Sequence, residues 1–138
     1  MVASRFNADV TEPLLASAIA TLAEHGAEAE DVYRVPGAWE LPVACAALAR
    51  ARRHHAVLAL GCLIRGETAH FDVIAHECAR GLGAVQLETG IPVAFGVLTT
   101  ETEKQAIERA DPKRGAKGRE VALAALEMAE LVARLGRT

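Results

Sequence analysis

Along the chain, short continuous apolar runs alternate with longer stretches in which apolar residues return every three or four positions. That is the rhythm of strands buried on both faces, each followed by an amphipathic helix. The clearest unit lies mid-chain. Residues 56–60 (AVLAL) predict a buried strand, and residues 61–69 follow as a loop with Gly66, Glu67 and Thr68 at its centre. From about His70, the residues Phe71, Ile74, Ala75, Cys78, Ala79 and Leu82 recur at helical spacing. Strand, glycine-containing loop and helix N-terminus follow in order, with a histidine at the junction.

The rest of the chain repeats this alternation. Residues 1–5 allow at most the stub of a strand, ended by SRFN. Asp9 or Thr11 is placed to cap a helix with Pro13 in its first turn. Leu14, Leu15, Ala18, Ile19 and Leu22 form its apolar stripe, and Gly26 its stop. Residues 32–35 predict a second strand, ended by Pro36-Gly37, and a helix over about 40–50 tolerates Pro42 in its first turn. Later, 92–98 (PVAFGVL) is β-branched and short, which favours a strand. Thr99-Thr100-Glu101 reads as a turn and 102–110 as a short helix broken by Asp111-Pro112; RGAKG makes a corner. A last helix over 118–135 has one apolar stripe of Val121, Ala124, Ala125, Met128, Leu131, Val132 and Leu135.

The order βαβαβαβα, with helices long enough for right-handed crossovers, predicts a four-stranded parallel sheet with helices on both faces. The expected architecture is an α/β, three-layer α/β/α sandwich. At 138 residues the chain should form one domain. Ligands of such sheets bind beyond the carboxyl ends of the strands. The residues to inspect are then Phe6 and Asn7, 38–40, 62–70, and the turn after Leu98.

Composition sharpens that expectation. Only five residues are aromatic, namely Phe6, Tyr33, Trp39, Phe71 and Phe95. Phe6 and Trp39 fall at predicted carboxyl ends, and Phe95 lies on a strand heading there. Such rings suit a planar heterocycle; the plainer reading is that they plug the end of the core. Glu40 is placed to accept hydrogen bonds from ligand hydroxyls or amines, or else is an ordinary carboxylate facing a helix dipole. In the central loop, a helix N-terminus offers unpaired N–H groups to a phosphate. Gly66 lets the backbone approach the anion, and Thr68 adds a hydroxyl donor. A histidine side chain can pass protons to and from a substrate held beside it, which makes His70 a candidate for proton transfer. Equally open at this level is that Thr68 only caps the helix and His70 faces solvent.

Several functions are disfavoured. The formal net charge is −3 with scattered Lys and Arg, so neither nucleic acid nor an anionic membrane is an expected partner. There is no apolar run of membrane-spanning length and no signal peptide. Cys45, Cys62 and Cys78 show neither CxxC nor zinc-ligand spacing, and read as reduced, buried residues of a cytoplasmic protein. His70 and His76 are not at HExxH spacing, so no metal site is expected. Dinucleotide, P-loop and nucleophile-elbow fingerprints are missing.

Five segments carry a closer likeness: SRFN at 4–7, VPGAWELP at 35–42, GCLIRGETAHFDVI at 61–74, GIPVAFGVLTTE at 90–101 and QAIERA at 105–110. With KRGAKG at 113–118, they resemble the lumazine synthase family over essentially the whole chain, in the right order. The resemblance implies a flavodoxin-like fold and a cytoplasmic transferase of riboflavin biosynthesis. That family condenses 5-amino-6-(D-ribitylamino)uracil with 3,4-dihydroxy-2-butanone 4-phosphate. The products are 6,7-dimethyl-8-ribityllumazine, phosphate and water, and neither metal nor organic cofactor is used.

Residue by residue, the resemblance assigns Phe6 to stacking on the pyrimidine, and Ala38, Trp39 and Glu40 to the ribityl chain and ring. Cys62, Leu63 and Ile64 would line the pyrimidine pocket, largely through their backbone. Gly66, Glu67 and Thr68 match positions that bind the phosphorylated ketone, and His70 matches the proton-transfer residue. Phe95 and Lys117 (pyrimidine) and Arg109 (phosphate) match positions donated by a neighbouring subunit. The implied partners are therefore copies of the chain in a pentamer, with an icosahedral shell of pentamers and riboflavin synthase as further ones.

Two departures stand out. Only five residues precede Phe6 where family members usually carry more, which implies a shortened first strand. Cys62 stands where a small hydroxyl residue is common, which matters little if only its backbone binds. The compact connection over 110–118 looks like that of shell-forming members, whereas the short N-terminus points the other way, so the resemblance implies a pentamer as the minimum unit.

Overall fold

The computed structural model describes residues 1–27 and 31–136. Strands and helices alternate as β1 (Val2–Ser4), α1 (Ala8–Glu24), β2 (Tyr33–Val35), a 3-10 turn (Ala38–Glu40), α2 (Leu41–Ala51) and β3 (Val57–Ile64). They continue as α3 (His70–Thr89), β4 (Val93–Thr100), α4 (Glu103–Ala110) and α5 (Lys117–Leu135). The strands pair in parallel in the order β2-β1-β3-β4. α1 packs with α5, and α2 with α3. The result is the expected three-layer, flavodoxin-like α/β/α sandwich.

Strand β3 shows why two helical layers form. Successive side chains point to opposite faces. Val57 and Ala59 join Leu41, Cys45, Cys78, Leu82 and Val85, while Leu58 and Leu60 join Leu15, Ala18, Val121 and Ala125. A third cluster of Val10, Leu14, Cys62, Leu98, Ala106 and Ala110 continues the core toward the carboxyl end of the sheet.

Several boundaries differ from the pattern-based expectation. β3 does not end at Leu60 but runs through Gly61 to Ile64, and β4 runs through Thr99 and Thr100, which had read as a turn. Each extension supplies the other's ladder, with Gly61 opposite Val97 and Ile64 opposite Thr100. A glycine is tolerable there because a side chain would crowd Ser4 and Leu41.

At the start of α1 the cap is Asn7, not Asp9 or Thr11, and Pro13 lies in the second turn. Asn7 adopts a left-handed conformation (φ 62°), which asparagine tolerates better than most residues. Ile19 is exposed rather than part of the buried stripe.

On α5 the buried face is Gly118, Val121, Ala122 and Ala125, whereas Ala124, Met128, Val132 and Leu135 are exposed. The neighbour that selects this face is α1. A Cβ on Gly118 would lie 2.6 Å from the Leu14 carbonyl oxygen, so only glycine lets the two helices approach this closely.

Candidate active site

The strand order reverses direction at β1, since β2 lies on one side of it and β3 on the other. Connections leaving β1 and β3 therefore diverge and open a crevice beyond their carboxyl ends. A cavity of 710 Å³ lies there, lined by Phe6, Asn7, 36–40, Cys62, Leu63, Ile64, Gly66, Thr68, His70, Phe71, Val73 and Ile74. Its walls are mainly apolar with a few polar groups, the usual make-up of a small-molecule site.

Phe6 and Trp39 line it and are 69% and 59% exposed. They are open faces of the cavity, not plugs of the core. Trp39 is held by the 3-10 turn, whose Ala38 is buried in the α2–α3 core cluster. Glu40 closes that turn by accepting, through Oε2 at 3.0 Å, the backbone N–H of Gly37. One carboxylate oxygen thus fixes the side chain and leaves the other for a ligand donor.

β3 forms the floor. Leu63 and Ile64 are half-buried. The Cys62 side chain is buried, and burial pushes its thiol up to about 11. It packs with Val10, Leu14, Leu98, Ala106 and Ala110, so it is a core thiol without nucleophilic character.

Residues 65–69 join β3 to α3. Gly66, Glu67, Thr68 and His70 are all exposed; Glu67 is outside the cavity lining and the other three are within it. Thr68 Oγ1 accepts the His70 backbone N–H at 3.3 Å, which leaves its O–H free to donate to an anion. His70 is the first residue of α3, beside the unpaired N–H groups of that helix. The sequence left solvent exposure and a site role both open for His70; it is exposed, and it lines the cavity.

Three residues of the expected constellation are not in the crevice. Phe95 lies in the first half of β4 and is 44% exposed. Lys117 begins α5 and pairs with Glu120 at 3.2 Å. Arg109 lies in the last turn of α4, is exposed, and has no ion pair among the described residues. Among the described residues no lysine or arginine lines the cavity. Arg65, next to the loop, is committed to Asp72 and Glu101. Among the described residues, the cavity lining therefore offers an anion backbone donors and a hydroxyl but no cationic side chain.

Two residues have parts that no sequence pattern assigned. Asn7 Nδ2 donates to the Cys62 carbonyl at 3.0 Å and ties the ends of β1 and β3 together. Arg65 pairs with Asp72 and Glu101 at once. A signal for Arg65 existed in the acidic residues at 72 and 101, but nothing short of the fold brings them together. Among the described residues, no cluster of three His, Cys, Asp or Glu side chains has metal-binding geometry, and no helix is long and apolar enough to cross a membrane.

Known proteins share this chain's sequence over nearly its full length. The family described as 6,7-dimethyl-8-ribityllumazine synthase matches residues 1–133. A protein of that name from Stenotrophomonas maltophilia (strain R551-3) is 53% identical over 98% of this chain and 88% of its own. One from Desulfotalea psychrophila is 50% identical over 96% and 86%, and one from Xylella fastidiosa (strain 9a5c) 48% identical over 98% and 89%. With so long a match and this crevice, the chain belongs to the 6,7-dimethyl-8-ribityllumazine synthase family.

Proposed function

We propose that this chain is a 6,7-dimethyl-8-ribityllumazine synthase, a transferase acting as one domain over 1–138 in riboflavin biosynthesis. It condenses 5-amino-6-(D-ribitylamino)uracil with 3,4-dihydroxy-2-butanone 4-phosphate. The observation that carries this reading is one crevice lined together by two open aromatic rings, Phe6 and Trp39, by Glu40, and by Gly66, Thr68 and His70 at the β3–α3 junction.

In this reading the pyrimidine stacks on Phe6 above Cys62, Leu63 and Ile64. The ribityl chain lies along Ala38, Trp39 and Glu40, whose carboxylate accepts from its hydroxyls. The ketone phosphate rests on Gly66, Glu67 and Thr68. The uracil amine attacks the ketone carbon and water leaves as the imine forms. Loss of a proton from carbon then expels phosphate, and the second nitrogen closes the ring with loss of a further water. His70 carries protons between these steps near neutral pH. Both substrates are competent to condense, so holding them in register supplies much of the rate.

The phosphate needs a cation, and an adjoining subunit supplies Arg109, with Phe95 and Lys117 completing the pyrimidine pocket. Support comes from the exposure of Arg109 and Phe95 and from the cavity's lack of Lys or Arg among the described residues. The minimum assembly is a pentamer, with an icosahedral shell and riboflavin synthase as further partners. Three buried, free cysteines suit a reducing cytoplasm. No cofactor or metal enters this scheme.

The test is lumazine fluorescence from purified protein and both substrates, read against an enzyme-free blank. Product well above the blank is expected. Product at the blank rate from folded, oligomeric protein would leave a binding or shell role instead.

A further inference from the structure

We propose that Arg65 is a positioning residue of this site: a brace that holds the phosphate loop in shape and is not itself a phosphate ligand. The inference rests on the synthase reading above for what the loop binds. Residues 65–70 are all exposed, so packing alone does little to fix their course. Two local bonds contribute, from the His70 N–H to Thr68 Oγ1 and from the Val73 N–H to the Ala69 carbonyl. The Arg65 side chain does the bridging. Its Nη1 and Nη2 donate to the two carboxylate oxygens of Asp72, both at 3.1 Å, and its Nε lies 2.9 Å from Glu101 Oε2.

This geometry closes a ring. The backbone N–H of Arg65 donates to the Thr100 carbonyl, so its own position is set by the sheet. Its side chain then grips Asp72, in the first turn of α3 and two residues beyond His70, and Glu101, just past β4. Residues 66–71 are spanned by that grip. The guanidinium also lies 4.5 Å from the centroid of Phe71, a residue of the cavity wall. Bidentate pairing suits arginine's rigid fork and lysine could not reproduce it. The two carboxylates hold the Arg65 pKa above its ordinary value and outnumber its charge, so the guanidinium is not available to an incoming phosphate.

The test is a double-mutant cycle of Arg65→Gln, Asp72→Asn and both together, with steady-state kinetics for each substrate. Amide hydrogen exchange of the 66–70 segment is measured on the same proteins. A brace predicts that either single change raises KM for the butanone phosphate by about five- to twentyfold, with KM for ribitylaminouracil moving less than about twofold. The double variant should be no worse than Arg65→Gln, and Arg65→Lys should fail to rescue. Exchange at 66–70 should rise in every variant. If Arg65 instead bound phosphate, Asp72→Asn would free it and leave ketone binding equal or tighter, which overturns the proposal. Unchanged loop exchange in Arg65→Gln also overturns it, and that readout needs no turnover. An inactive wild-type protein with a loop that loosens on mutation would sink the synthase reading and leave the brace standing.

Discussion

The side-chain amide of Asn7 donates to the main-chain carbonyl of Cys62 at 3.0 Å, across 55 residues of sequence, and joins the two strand ends between which the crevice opens. Because Asn7 is also held at φ 62°, its two contributions can be separated. Asn7→Gly keeps the backbone conformation and loses the bond, at about 1 kcal/mol. Asn7→Ala adds the left-handed penalty of a β-carbon and should cost about 2–3 kcal/mol. Urea unfolding checks the order; an alanine variant as stable as the glycine one would refute the account.

The α1–α5 contact makes a second prediction. Gly118→Ala puts a methyl 2.6 Å from a backbone oxygen, that of Leu14, which is held within its helix. The expected cost is about 1–3 kcal/mol, seen as a lower thermal midpoint. Gly96→Ala meets the flexible Leu60 Cδ2 at 2.6 Å but also the Ala59 carbonyl at 2.9 Å, and should likewise destabilise.

Burial pushes the thiol of Cys45 up to about 12 and those of Cys62 and Cys78 to about 11, from an ordinary 9.0. Their ionised forms are therefore disfavoured by folding. The sign follows: the thiols are neutral in both states below pH 9, while above it the unfolded chain loses protons first. Stability should fall as pH rises from about 9 toward 11–12. Alkylation by iodoacetamide at pH 8 should be slow in native protein and fast in urea. Prompt native labelling of any of the three would contradict their burial.

His70→Ala should slow turnover without abolishing it, since positioning of both substrates persists. Arg109→Ala should chiefly raise KM for the butanone phosphate. If Arg109 acts from the adjoining subunit, unfolding and co-refolding equal amounts of the two variants should restore both groups in about one quarter of the sites. Activity above the sum of the separately refolded variants is the expected result. No gain on mixing, with mixed oligomers demonstrated, would place both residues in one subunit's site.

Much of this was legible in the chain. The runs at 56–60 and 92–98 marked β3 and β4 because strands buried on both faces need no polar positions. The sequence order of loop and His70 marked a junction that does line the crevice, since a strand–loop–helix junction exposes helix N–H groups wherever it occurs. Boundaries were less legible. Gly61 and Thr99 carry turn-like composition, yet each is strand because the facing strand continues beside it. Local chemistry loses there to pairing between residues more than thirty apart.

By itself the sequence determined the alternation of elements, the parallel sheet that follows from it, and the residues standing at the strand ends. These depend on periodicity and on connection length, which are local properties of a chain. Tertiary structure alone decided which face of α5 is buried, that Asn7 reaches Cys62, and that Arg65 meets Asp72 and Glu101 together. Each of these is a choice among surfaces of similar polarity. It is settled by which element arrives beside which, and that depends on the packing of the whole.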